Sequence, residues 1–202
     1  MRKKKKSAIN FEYLQNMEGF VIIQQEDIKV PYQEEESMAK GLLTIFTGEG
    51  RGKTSAAIGR AVQAADEGKH VVIIQFLKGK GLRGSEFVSR LEPEIKLFCF
   101  EKSDESFSDL TQEQQKEECV NIRNGLNFAK KVLATGECDL LILDEVLGLV
   151  ENGIITTEEL LSLIDSREET GIILTGIVLK DEICFCADEV SKIDTIKFKV
   201  WE

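Results

Sequence analysis

Lys53, Thr54, Asp144 and Glu145 are residues whose types and positions could do chemistry together. Lys53 and Thr54 close a loop with glycine at alternate positions, Gly48–Glu49–Gly50–Arg51–Gly52–Lys53–Thr54–Ser55. Such a loop turns successive backbone N–H groups toward anionic oxygens, and a helix starting at its end adds the positive end of a dipole. Lys53 then supplies a point charge to outer phosphates, and the Thr54 hydroxyl a ligand for a divalent ion. Asp144 and Glu145 follow the apolar run Leu140–Leu143. Charge at the end of a buried strand is costly without partners. Beside a phosphate loop, Asp144 would help hold Mg²⁺ (or Mn²⁺), and Glu145 would share the metal or activate a nucleophile. The plainer alternatives are a Gly-rich turn that binds nothing and a solvated strand end.

The loop is a variant. The common phosphate-binding signature begins with a glycine and ends in Gly-Lys-Ser/Thr. Counting back from Lys53, its first glycine should fall on Thr47, and Gly48 comes one place late. Gln75, Lys78, Lys80 and Arg83 sit at or just after the end of a second apolar run, and Gly176 ends a later one. In a parallel sheet these positions share an edge with the loop. Gln75, Lys78, Lys80 and Arg83 are therefore candidates for contact with nucleotide or an anionic second substrate, as is Gly176 for the nucleotide, with a solvated loop as the alternative for Lys80 and Arg83. His70 precedes a strand, at the opposite edge, and reads as structural or exposed.

The elements that must position these residues are legible as alternating runs. Leu42–Thr47 reads as a strand, and Lys53 to Glu67 as a helix closed by Gly68. Val71–Phe76 is apolar without alternation, as in a parallel strand covered on both faces. Phe87–Leu91 reads as a helical turn and Ile95–Phe100 as a third strand. Thr111 with Gln114 forms a capping-box pattern for a helix reaching Ala134, weakened in its middle by Asn124 and Gly125. Asp139–Glu145 is the fourth strand. Thr156 and Glu159 cap a helix over Thr157–Ser166, and Gly171–Gly176 is the fifth strand. Asp181–Val190 reads as a short helix and Ile193–Lys199 as a last strand. Together these predict an α/β fold, a mostly parallel sheet with helices on both faces. Ligands in such folds bind beyond the strand C-termini.

Bulk properties narrow the function classes. The chain has 202 residues and a net charge of −10, and the basic cluster Arg2–Lys6 makes the remainder more acidic still. That argues against a nucleic-acid binder but not against a nucleotide, which a phosphate loop holds through local dipoles. No apolar run reaches membrane-spanning length, and the basic start lacks the apolar core of a secretory signal. Five cysteines without a CxxC pair suggest reduced, mostly buried thiols in a cytoplasmic protein. Residues 1–40 read as an N-terminal arm with a basic tip, a short helix and a linker, and residues 41–202 as one domain.

The chain resembles the P-loop corrinoid adenosyltransferases of the cob(I)alamin and cob(I)yrinic acid a,c-diamide type. The resemblance rests on the off-register loop Thr47–Thr54, on Gln75–Phe76–Leu77–Lys78–Gly79, on Leu143–Asp144–Glu145, and on Leu174–Thr175–Gly176 followed by Ala187–Asp188. It implies a RecA-like P-loop fold, a homodimer, and ATP, Mg²⁺ and a corrinoid as reactants. In the implied reaction, Co(I) of the corrinoid attacks C5′ of ATP and displaces triphosphate. The loop backbone and Lys53 would stabilise the leaving group, Thr54, Asp144 and Glu145 would hold the metal, and Phe98, Phe100 or Phe107 would line the corrinoid cavity. A reductase partner would supply Co(I). The sequence departs from the family at Ile177, where Arg is usual, at Ser85, which separates Gly84 from Glu86, in the arm, and in the family's tail beyond the last strand. These departures keep open a catalytically divergent ATP- and corrinoid-binding protein, or a P-loop ATPase.

Overall fold

The structure is a computed structural model that describes residues 40–197. The chain divides into two compact units, Met1–Glu36 and Ser37–Glu202, and the first lies outside the described residues together with the arm expected there.

Six strands form one all-parallel sheet: β1 (Leu43–Thr47), β2 (Val71–Gln75), β3 (Ile95–Cys99), β4 (Leu140–Asp144), β5 (Gly171–Thr175) and β6 (Glu189–Lys192). Their order is β3-β2-β4-β5-β1-β6. All of β2 is buried, and so are Leu141–Asp144 and Ile172–Thr175, which explains their continuous apolar runs. Side chains alternate across the sheet to build two cores. On one face Phe46, Val71, Ile73, Ile142 and Ile173 pack against Ala57, Ala61 and Ala64 of α1 (Lys53–Asp66). The alanines recur at helical spacing, and their small side chains let α1 lie close to the sheet. On the other face Leu43, Ile45, Ile74, Leu141, Leu143, Ile172 and Leu174 meet the remaining long helices.

A short α2 (Glu86–Ser89) is followed by α3 (Gln112–Thr135), then α4 (Val146–Glu151), α5 (Thr157–Asp165) and α6 (Asp181–Cys184). Both expected capping boxes are present, Thr111 with Gln114 and Thr156 with Glu159. Asn124 and Gly125 do not interrupt α3. Phe98 and Phe100 pack on Phe128 of α3, with ring centroids 4.6 and 5.5 Å away, and these rings and Phe107 lie against the core.

Three expectations need correction. The helix expected over Asp181–Val190 ends at Cys184, and the last strand among the described residues is Glu189–Lys192; residues 193–197 of the expected Ile193–Lys199 strand are not strand, and 198–199 lie outside the described residues. The Asp188 carboxylate accepts the Leu43 N–H at 2.7 Å and the Asp188 N–H reaches the Leu43 carbonyl, so pairing with β1 begins there. α4 is not among the elements expected from the sequence: its five apolar residues Val146–Val150 follow the acidic pair that ends β4 and are too few to show a helical period. Of the five thiols, all free, Cys138 alone is buried and Cys186 is exposed.

Candidate functional site

β1 and β4 end at the same sheet edge with β5 between them, so the glycine loop and the Asp144–Glu145 pair face one another across one strand. Gly52 adopts φ +113 and caps α1 with no side-chain hydrogen bond, which leaves the first N–H groups of the helix for a ligand. Thr54 lies in the first turn and Ser55 beside it is exposed. The Lys53 ammonium arches over the loop and donates to the carbonyls of Gly48 (2.7 Å) and Gly50 (3.0 Å).

The alternate glycines now have a physical account. A Cβ at Gly48 or at Gly50 would stand 2.5 Å from the Ile193 carbonyl oxygen. The segment after β6 runs directly behind the loop: Gly50 N–H donates to Ile193 O at 2.9 Å, and Arg51 N–H to the Thr195 hydroxyl at 2.9 Å. On the other side, Thr47 Oγ1 and Gly48 N–H both donate to the Ile177 carbonyl. Close approach of backbone to backbone requires glycine at 48 and 50, and the shift of register follows from that packing. Glu49 is exposed at the rim.

Asp144 is 1% exposed and its carboxylate is held from three elements. Thr54 Oγ1 donates to it at 2.9 and 3.1 Å, Gln75 Nε2 at 2.9 Å and Thr175 Oγ1 at 2.7 Å. Burying this charge is tolerable because each oxygen has donors. Glu145 follows in the left-handed region (φ 64), and its carboxylate pairs with Lys78 Nζ at 3.1 Å. Thr54 and Asp144 meet directly, with Glu145 next in the chain and turned to Lys78, and hard oxygen donors of this kind suit Mg²⁺. Among the described residues no group of three or more His, Cys, Asp or Glu could hold a metal unaided.

Gln75 is buried and both ends of its amide are taken: Nε2 by Asp144, Oε1 by the Leu82 N–H at 2.9 Å. It braces the basic loop against the acid. Arg83 is turned toward the Glu101 carbonyl and Asp104, while Lys80 is exposed. Glu101 is buried, accepts the Leu77 N–H, and burial raises its pKa. Burial also pushes the Cys99 thiol up to about 11, so it stays protonated beside Gln75. Gly176 packs the end of β5 on α4, where an added Cβ would lie 2.4 Å from Leu147 Cβ. His70 is exposed at the opposite edge, as expected.

Thr175 is a site residue that sequence reasoning missed. It is fully buried, donates to Asp144, and accepts the Glu145 N–H at 2.8 Å. The available signal was a hydroxyl ending the apolar run Ile172–Leu174. A cavity of about 810 Å³ opens at the other sheet edge, but its cations Lys40, Arg60 and Lys69 are paired with Asp165, Glu189 and Glu67. No helix among the described residues is long and apolar enough to cross a membrane.

The fold resembles that of the flagellar accessory protein FlaH from Methanocaldococcus jannaschii, with a TM-score of 0.51 at 13% identity over 79% of this chain and 73% of that one. With the phosphate loop, this is a RecA-like P-loop fold. Sequence relatives are closer. The corrinoid adenosyltransferase of Escherichia coli K12 is 30% identical over 172 residues, 85% of this chain and 84% of its own length. CobA of Salmonella typhimurium LT2 matches to the same extent, and the Pseudomonas aeruginosa corrinoid adenosyltransferase is 27% identical over 78% of this chain and 77% of its own. The model of the family ATP:corrinoid adenosyltransferase BtuR/CobO/CobP matches residues 39–202. On a match of that extent, carried by a loop and an acidic pair that the fold brings to one edge, the chain belongs to the ATP:corrinoid adenosyltransferase family.

Proposed function

We propose that this chain transfers the 5′-deoxyadenosyl group of ATP to Co(I) of a corrinoid such as cob(I)alamin or cob(I)yrinic acid a,c-diamide, releasing triphosphate. The observation that carries this reading is the Thr54–Asp144 contact at 2.9 Å, which sets a hydroxyl able to take a metal beside a carboxylate held at the end of the glycine loop. The Co–C bond forms as the C5′–O bond breaks, and the electron pair of that bond leaves on the triphosphate. The chain's work is to bind and orient. The N–H groups at the start of α1 and the Lys53 ammonium would stabilise the charge gained by the departing triphosphate, and the loop would hold C5′ in line with the incoming substrate. Mg²⁺ held by Thr54, Asp144 and Glu145 would supply further charge neutralisation to the phosphates. Glu145 is paired with Lys78, which supports a role in holding ligands over one as a hydrolytic base. We further propose Mg²⁺ (or Mn²⁺) as the cofactor, a homodimer in the cytoplasm, and a reductase partner supplying Co(I).

Incubation with ATP, Mg²⁺ and chemically reduced cobalamin, cobinamide or cobyrinic acid diamide tests the reaction and its substrate class together. Triphosphate and a light-sensitive adenosylated corrinoid are expected. ADP and phosphate in their place would identify an ATPase and refute the proposal.

A further inference from the structure

We propose that Thr175 is a positioning residue, whose hydroxyl sets the metal-binding geometry of Asp144 and Glu145 together. This deepens the reading of the site as a metal–nucleotide centre and rests on it.

β5 lies between β1, which carries the phosphate loop, and β4, which carries the acids. Thr175 pairs in register with Phe46 of β1 and stands at the C-terminal end of that middle strand. A side chain there can reach both partners. The hydroxyl is used in both directions: it donates to Asp144 Oδ1 at 2.7 Å and accepts the Glu145 N–H at 2.8 Å. Since a hydroxyl carries one hydrogen, donation to Asp144 fixes its rotor and leaves a lone pair facing the Glu145 N–H.

Each bond holds something the rest of the site does not. Asp144 Oδ2 has Gln75, and Thr54 bonds to both oxygens, but Thr54 is itself the expected metal ligand. When its hydroxyl turns to a cation, Thr175 becomes the donor that keeps Oδ1 in place. Glu145 has φ 64, a conformation a non-glycine residue adopts only when its surroundings enforce it. The Thr175 hydroxyl holds the N–H of that strained residue, and so helps direct where the carboxylate leaves the backbone. Lys78 restrains the far end of the same side chain. A threonine serving only to fill the core would need neither bond, and valine has the same shape.

The test compares Thr175→Val and Thr175→Ser with wild type by calorimetric binding of ATP, without corrinoid, in excess Mg²⁺ and in EDTA. T175V should weaken ATP binding in Mg²⁺ by about tenfold or more and change binding in EDTA less than about twofold, whereas T175S should restore Mg²⁺-dependent binding to within about threefold. Equal Mg²⁺ dependence in wild type and T175V would overturn the inference. So would equal losses with and without Mg²⁺, or T175S failing as badly as T175V. Should T175V not fold, T175A, which also lacks the hydroxyl, carries the same expectation. A wild-type chain that binds ATP indifferently to Mg²⁺ would instead overturn the metal–nucleotide reading beneath it, and the inference with it.

Discussion

Gly50→Ala tests the account of the shifted loop directly. The new Cβ would lie 2.5 Å from Ile193 O and 2.7 Å from the Asp194 Cα and carbonyl carbon, all backbone atoms with no rotamer to escape into. Reaching an ordinary separation of about 3.5 Å requires a displacement of roughly 1 Å. That stretches the 2.9 Å bond from Gly50 N–H to Ile193 O past its useful range. The lost bond costs about 0.5–1.5 kcal/mol, and forced repacking about 1–3 kcal/mol. For a chain of this size, 1 kcal/mol moves Tm by about 2–4 °C, so a fall of roughly 5–15 °C is expected. ATP affinity should drop about tenfold or more, since a displaced loop shifts the free N–H groups at the start of α1 that follow it. Gly59→Ala in α1 is the control: its Cβ meets nothing within 4 Å, and helix propensity favours it by about 0.5–1 kcal/mol. Thermal melts and calorimetric ATP titrations read both variants. A G50A protein that melts within about 2 °C of wild type and keeps its ATP affinity within about twofold would refute the packing argument.

Two further outcomes follow from the buried acids. Asp144→Asn presents an amide N–H₂ to donors at one oxygen position, so binding of ATP with Mg²⁺ should weaken about tenfold, or about 1.4 kcal/mol, with EDTA-measured binding much less affected; unchanged Mg²⁺ dependence would remove Asp144 from the metal site. Glu101→Gln keeps an acceptor for the Leu77 N–H while removing a buried charge. Burial raises the Glu101 pKa in the folded chain above its ordinary 4.5, so its favourable contribution is complete below that value and is lost as pH rises through the higher folded pKa. E101Q should therefore gain stability over wild type at neutral pH, with the gain shrinking as pH falls toward 4.5; urea unfolding across that range measures it, and a pH-independent difference would contradict the assigned cause.

The parts of this molecule legible in its sequence are those where local chemistry and tertiary position agree. β2, β4 and β5 read as unbroken apolar runs because helices cover both of their faces. The capping boxes at Thr111 and Thr156 read correctly because their partners lie three residues away. α4 is hidden because a six-residue helix whose first five residues are apolar and buried has no polar face to reveal its period. β6 was misplaced because an edge strand with largely exposed side chains, Glu189–Val190–Ser191–Lys192, lacks the apolar signature. In the site, the glycine loop and Asp144 announced themselves through spacing and charge. Gln75 was read as facing ligand, and its amide is in fact engaged at both ends by the chain. Thr175 is legible only as part of the pattern Leu174–Thr175–Gly176 and not as a site residue, since a hydroxyl in a buried strand gains its role from the neighbouring β4.

The wall behind the glycine loop also bears on the order in which the protein is made. Arg51 N–H finds its Thr195 acceptor 144 residues further along the chain. On the ribosome the loop, α1 and the first strands emerge early, while the segment that shapes the loop from behind emerges long afterwards. A nascent chain of, for example, 180 residues would carry the complete nucleotide motif without the surface against which Gly48 and Gly50 are fitted. The loop's final shape is thus deferred until Thr195 has emerged from the ribosome, and a release short of that point would leave a chain with the glycine motif and without the wall that fits it.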